Sequence, residues 1–418
     1  MKFRLCTAIL LSACVCILLS PSLKAQEWVR FRGPNGTGMG KPLTLPDTLT
    51  EKDYRWKITL PGFGHSSPVL WGKKLFITSA NPDEGKRYLL CINADTGASI
   101  WKQTWNFTSY HRHEYNSFAS STPTVDGEQV YVLWQTPDSV VLYALDHKGN
   151  KIWERELGKL NLQHGGGSSP VVVEDTVLVS VEQEGAGNKG NLFGIDRKTG
   201  AIRWQSPREP SQGAPYATPL VNRTDEGKTE VIFASTAHGF TSLDPKTGSR
   251  NWEVAGLFPL RCVTSPIRVG DMVLASCGTL GSDKSAVALR LPSRANGKTA
   301  EVAYRIPKGV SYVPTPIVSE GRIYFWGDNG VVSCYEGATG KELWRERVGG
   351  DYFGSPVLCN GKIYALGTRG ELTAISAGST FKLLGKHETG EPTNSTPAIA
   401  NGTLYVRTES HLIAIKGK

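Results

Sequence analysis

From about residue 53 onward the chain alternates short apolar runs with turns, and it never settles into a helical period. One unit shows the plan. Pro316-Ile317-Val318 reads as a strand, and Gly321 turns the chain into Arg322–Trp326, a second strand. Asp328-Asn329-Gly330 leads to a third, Val331–Tyr335. Glu336-Gly337-Ala338-Thr339-Gly340 then leads to Lys341–Trp344, a fourth. β-Branched and aromatic residues fill the strands, and Asn-Gly or Asp-Gly-type pairs supply the positive φ of tight hairpins.

The unit recurs. A Ser/Thr-x-Pro step followed by apolar alternation is read at Pro68, Pro123, Pro170, Pro219, Pro266, Pro316, Pro356 and Pro397, spaced 55, 47, 49, 47, 50, 40 and 41 residues apart. A period of about 40–50 residues with four strands per unit predicts propeller blades. The fold class expected is therefore all-β: an eight-bladed β-propeller of four-stranded antiparallel blades.

The third-to-fourth strand turn carries an Asp-x-x-Thr-Gly-x-x-x-Trp pattern. Asp196–Gly200 and Asp244–Gly248 match it, Asn93–Gly97 and Glu336–Gly340 are variants, and Asp146–Gly149 is one residue shorter. Trp101, Trp153, Trp204, Trp252 and Trp344 follow, with Tyr304 and Phe381 replacing the Trp in blades five and seven. Such flat rings are expected to cover the seams between blades. The eighth copy ends after three strands, and Tyr54-Arg55-Trp56-Lys57-Ile58 has the character of the missing fourth. This N-terminal strand is expected to close the ring and remove an open edge.

Before the repeats lies a different pattern. Lys2 and Arg4 precede an apolar run, Leu5 to Leu19, which ends at Ser20-Pro21, and Ala25 suits a cleavage site. Residues 1–25 are expected to be a signal peptide, 26–52 a leader segment and 53–418 the propeller. Export to the periplasm or beyond follows. Leu11-Ser12-Ala13-Cys14 also resembles a lipobox, and only a lipidated Cys14 would tie the protein to a membrane.

The full chain carries 47 basic and 38 acidic side chains, and loss of residues 1–25 leaves 44 against 38. The charges are dispersed with no basic run, which argues against nucleic-acid binding. Five cysteines remain: Cys91, Cys262, Cys277, Cys334 and Cys359. They form no CxxC or CxxCH motif, so haem attachment and a zinc ribbon are not indicated. HExxH, Walker A and GxSxG motifs are missing too.

The repeat resembles the PQQ-like family, particularly eight-bladed propellers of the BamB type, over residues 53–418. Trp28–Gly36 resembles the leader of exported bacterial proteins with this repeat. The resemblance implies one of two classes: quinoprotein dehydrogenases, which hold PQQ and calcium on the propeller axis, or non-catalytic binding propellers such as BamB, which serves outer-membrane protein assembly. The adjacent Cys-Cys pair common among alcohol-oxidising quinoproteins is missing here, and blades six and seven are minimal. The function expected is a non-catalytic extracytoplasmic binding or scaffold protein with no cofactor. The alternatives are a PQQ- and calcium-dependent alcohol or sugar dehydrogenase, and a BamB-like assembly factor.

Propeller topology places candidate ligand residues on one rim. Loops entering the first strands bring His65, Phe118, His164, Tyr216, Arg261, Tyr312, Tyr352 and Asn394. Second-to-third strand loops bring His238, Asp328, Arg369 and Glu409, and the long approach to blade two adds Arg112 and His113. Aromatic, His and Arg groups converging on a rim suit a peptide, protein or glycan partner. His111 and His113 lack a third ligand, so no metal site is assigned. A monomer is expected.

Overall fold

The computed structural model describes residues 28–46, 49–211, 213–281, 283–297 and 299–417. The signal-peptide and lipobox expectations lie outside them. Thirty-two strands form eight four-stranded antiparallel sheets, arranged as the blades of a propeller. Blade one is Val69–Trp71, Lys74–Asn81, Lys86–Asn93 and Ser99–Asn106, paired in that order. The other complete blades repeat this meander. Middle strands such as Lys74–Asn81 and Gln129–Gln135 are buried almost throughout, whereas outer strands such as Ser99–Asn106 alternate exposed and half-buried positions. Each blade thus has an inner core and one solvent edge.

Blade eight closes as expected. Ala398–Ala400, Thr403–Arg407 and His411–Lys416 take their fourth strand from Tyr54–Thr59, antiparallel to His411–Lys416. The Trp56 indole N–H donates to the Ala94 carbonyl at 3.1 Å, which links the last blade to the first.

The Asp-x-x-Thr-Gly turn is built by its own side chains. Asp196 accepts backbone N–H bonds from Lys198 and Thr199 at 3.0 and 2.8 Å. Gly200 takes φ +70°, and a Cβ there would lie 2.6 Å from the Trp153 ring of the preceding blade. Glycine is therefore required twice, for backbone conformation and for ring contact. Five of the seven seam rings reach the next blade's turn. Trp101 donates to His147, Trp153 to Arg197, Trp204 to Pro245 and Trp344 to Gly378, all at 3.0–3.2 Å to carbonyl oxygen. Tyr304 does the same through its hydroxyl to Gly337 at 2.6 Å. Two rings depart from expectation. Trp252 bonds Glu230 of its own blade, and Phe381 lies on the receiving side, its ring 5.4 Å from Trp344.

The Ser/Thr-x-Pro reading also needs correcting. Ala217, Pro314 and Gly354 occupy its first position in blades four, six and seven. The constant hydroxyl directly precedes the proline: Ser67, Thr122, Ser169, Thr218, Ser265, Thr315, Ser355 and Thr396, strictly alternating. The backbone N–H of one donates to the hydroxyl of the next blade at 2.8–3.1 Å for the pairs 67–122, 122–169, 218–265, 265–315, 315–355 and 355–396. Proline supplies no N–H, so the residue before it is the one that joins neighbouring blades around the axis.

The leader crosses the face opposite the entering loops. Trp28 pairs with Leu70 in blade one, and the Val29 carbonyl accepts from Val125 in blade two. Arg30 donates to the Pro219 carbonyl at 2.7 Å and Arg32 to that of Pro316 at 2.9 Å. Gly38 and Gly40 bond Leu358, and Leu43, Leu45 and Leu49 enter the core shared by blades one, seven and eight. Between the two arginines, Phe31 lines the lower end of the axial channel below the hydroxyl ring. The channel is thus capped from one side and entered from the other. The five described cysteines are free and buried.

Candidate functional site

The entering loops and the second-to-third strand loops meet at the open end of the channel. The approach to blade two, between Asn106 and Thr124, bends over this mouth. Its Asn116 amide donates to the carbonyls of His164 and Gly166 at 2.6 and 3.1 Å, and its Arg112 guanidinium bonds the carbonyls of His113 and Asn116 at 3.2 and 2.6 Å. Arg112 also stacks 4.8 Å over the Phe118 ring. At the tip, the Tyr115 ring lies 4.8 Å from Phe353 of blade seven. This contact spans the axis and divides the mouth into two lobes.

The first lobe has a volume of about 580 Å³ and is lined by Phe63, His65, Arg112, Asp328 and Glu409, with Glu114 and Asp351. Asp328 is buried, accepts N–H bonds from Tyr312 and Val313 at 2.9 and 2.8 Å, and pairs with Lys284 at 2.7 Å. Burial, then the charges of Arg407 and Arg112, push the His65 imidazole down to about 3, so it is neutral near pH 7. Glu114, Asp351 and Glu409 are exposed and have no ion-pair partner among the described residues.

The second lobe, about 590 Å³, holds His113, His164, Tyr216, Arg261 and Tyr312 against Leu260, Val263, Leu280, Val313 and Phe353. His113 stacks on His164 with ring centroids 4.5 Å apart. His164 Nδ1 meets Arg261 Nη1 at 2.7 Å, and Arg261 Nη2 pairs with Glu184 at 2.8 Å. Burial, then the charges of Arg261 and His113, push His164 down to about 4, so it accepts from the guanidinium as a neutral ring. The Tyr216 hydroxyl is fully buried against the backbone of His164. Burial raises the Tyr216 and Tyr312 phenols, which stay protonated at neutral pH.

Ten of the fourteen rim residues named from sequence therefore line these lobes, and four do not. Phe118 is buried beneath the Arg112 guanidinium. His238 turns away, 3.4 Å from Glu253, and its Nε2 accepts the Glu209 N–H at 3.1 Å. Tyr352 is fully buried, its hydroxyl 3.0 Å from Thr373, while Arg369 is exposed beside it in a separate, smaller cleft. Phe353, Tyr115 and Asn116, which the loop positions alone do not single out, line both lobes. Their signal was weak, since a one-residue step along an extended segment reverses the facing of a side chain. No trio of His, Cys, Asp or Glu is placed to hold a metal among the described residues.

No curated protein matches the chain. Among solved structures, it is similar to a europium-containing methanol dehydrogenase, with a TM-score of 0.67, 13% identity, and 92% of this chain and 90% of that one covered. It is similar to BamB from Moraxella catarrhalis, with a TM-score of 0.58, 15% identity and coverage of 87% and 98%. It is also similar to the quinohemoprotein alcohol dehydrogenase from Comamonas testosteroni, with a TM-score of 0.67, 13% identity and coverage of 94% and 81%. At such identity these likenesses show the propeller fold alone. The family described as outer membrane protein assembly factor BamB matches residues 50–281 and 294–418, and the chain belongs to that family.

Proposed function

We propose that this protein is a non-catalytic, exported binding propeller that takes its ligand at the two-lobed axial mouth. The observation that carries this reading is the state of the mouth's charged groups. Arg261 is paired with Glu184, Lys284 with Asp328, and Arg112 is tied to carbonyls of its own loop. These groups support the walls and hold no nucleophile beside a poised base. His65 and His164, the two mouth histidines with lowered pKa, sit beside arginines, which suits neutral hydrogen-bonding groups better than proton shuttles near pH 7.

The lining fits PQQ poorly. A planar tricarboxylate with calcium asks for uncommitted cations and a compact set of oxygen ligands. Here the cations are committed, and the uncommitted charges are the carboxylates of Glu114, Asp351 and Glu409. Export rests on the apolar N-terminal run alone. Membership in the BamB family favours a protein partner, and a role in outer-membrane protein assembly is the second reading it supports.

Thermal-shift and calorimetric titration test the proposal. Ligand binding abolished by substitution at Phe353 supports it. Tight binding of PQQ with calcium, accompanied by dye-linked oxidation of an alcohol or sugar, overturns it. Recovery of a barrel-assembly complex on the tagged protein would favour the second reading.

A further inference from the structure

Beneath the mouth, the axial channel forms a chamber of about 170 Å³. Seven of the eight hydroxyl residues that precede the blade prolines line it, all but Ser67. Each of the seven is at most 5% exposed. Six of their hydroxyls accept a backbone N–H from the neighbouring blade, and none of the seven donates to a protein acceptor among the described residues. The Thr218 hydroxyl forms no hydrogen bond with any of them. A buried O–H that donates to nothing costs free energy. No Asp or Glu among the described residues lines the channel, so its wall presents a ring of donors to the axis.

A second observation concerns charge. The guanidiniums of Arg30, Arg32 and Arg407 are buried beside this ring. Arg30 donates to the carbonyl of Pro219, which follows Thr218, and Arg32 to that of Pro316, which follows Thr315. Arg407 donates to the hydroxyl of Ser66, which precedes Ser67, at 2.9 Å. No carboxylate pairs with any of the three among the described residues. The Nε of each, and Nη1 of Arg32, bond no protein atom. Burial lowers all three pKa values and Arg32 also feels the charge of Arg30, yet all stay protonated near pH 7. On the channel wall, His65 is kept neutral by burial and then by the charges of Arg407 and Arg112. Water accepts hydrogen bonds from hydroxyls but does not offset buried cations, which proteins ordinarily compensate with opposite charge.

We infer that the axial channel is a binding site for a small monovalent inorganic anion of the halide class, held within the hydroxyl ring above Phe31. The ring donates to the anion, Thr218 foremost, and the anion offsets the charges of Arg30, Arg32 and Arg407. Hydrogen bonds to an ionised acceptor are stronger than neutral ones, and a hydroxyl that already accepts an N–H is polarised to donate. The chamber has room for one such ion with a few waters. Because the ring draws on blades two to eight, the bound ion ties most of the propeller together at its axis. The site is separate from the lobes of the mouth and does not depend on which ligand they take.

The test follows thermal unfolding of the full chain while sodium chloride replaces sodium gluconate at constant ionic strength. The midpoint is expected to rise along a saturating curve, as it does for a ligand that binds only the folded state. Crystals grown in sodium bromide should show an anomalous peak on the axis between the hydroxyl ring and Phe31. T218V removes an O–H that bonds no protein group and leaves the backbone N–H bond to Ser265 in place. Its circular dichroism should match that of the unaltered protein, while half-saturation moves to at least about tenfold higher chloride, the worth of one hydrogen bond to a charged group. R30M should flatten the chloride response, and the bromide crystals and the T218V titration decide the matter whether or not R30M folds. Equal midpoints in chloride and gluconate, bromide found only on the exterior, or an unchanged chloride response in T218V overturns the inference. None of these outcomes bears on binding at the mouth, so the two readings stand or fall separately.

Discussion

Trp252 donates its indole N–H to Glu230 at 3.1 Å, within its own blade, whereas Trp204 donates at 3.0 Å across the seam to Pro245. The cause lies in blade five. Its third-to-fourth strand connection, around residues 291–300, has no Asp-x-x-Thr-Gly turn to receive a ring. Glu230, buried and also bonded by Asn222 and Ser242, takes the indole instead.

The two tryptophans should therefore respond differently to substitution. W204A opens a cavity against the Gly248 turn of the next blade and should cost about 3–5 kcal/mol. W252F keeps most of the apolar contact but removes a donor to a buried carboxylate, and should cost about 1–3 kcal/mol. Chemical denaturation of both variants checks the order. Equal losses would mean that the seam contact contributes nothing particular.

Acid stability should depend on Glu391. Its carboxylate accepts from Thr408, from the Ser410 hydroxyl and N–H, and faces His411 Nδ1 at 2.7 Å. Burial opposes ionisation, but these hydrogen bonds outweigh it and hold the carboxyl at about 2, against 4.5 unperturbed. A carboxyl depressed on folding adds stability that is fully present above pH 4.5 and is lost as pH falls from there through about 2. E391Q should flatten the fall in denaturation midpoint across that window. An unchanged pH profile would remove Glu391 from the account.

Ring closure by Tyr54–Thr59 should be essential for solubility. The strand covers the outer edge of His411–Lys416, and Tyr54 reaches His387 of blade seven at 2.6 Å. Removing residues 53–60 uncovers that ladder, which invites pairing with other chains. Size-exclusion chromatography should show aggregated or insoluble material. A folded, monomeric deletion variant would disprove closure as a requirement.

The sequence by itself determined the repeat, the number of blades, the turns and the closing strand. Each depends on local chemistry that leaves a mark in one residue: Asp196 caps its own turn, Gly200 takes positive φ, and Trp153 sits at a constant offset. It also showed which loops form the rim, because chain order in a propeller dictates which connections share a face. Only the tertiary structure decided which side chains in those loops look inward. Phe353 faces the mouth and its neighbour Tyr352 the core, and His238 turns to Glu253. Irregular loops have no period from which facing can be read. The Tyr115–Phe353 contact joins residues far apart in the chain, and the leader's passage beneath the axis depends on backbone carbonyls such as those of Pro219 and Pro316. Carbonyls are common to every residue, so no sequence pattern marks where such a segment will dock.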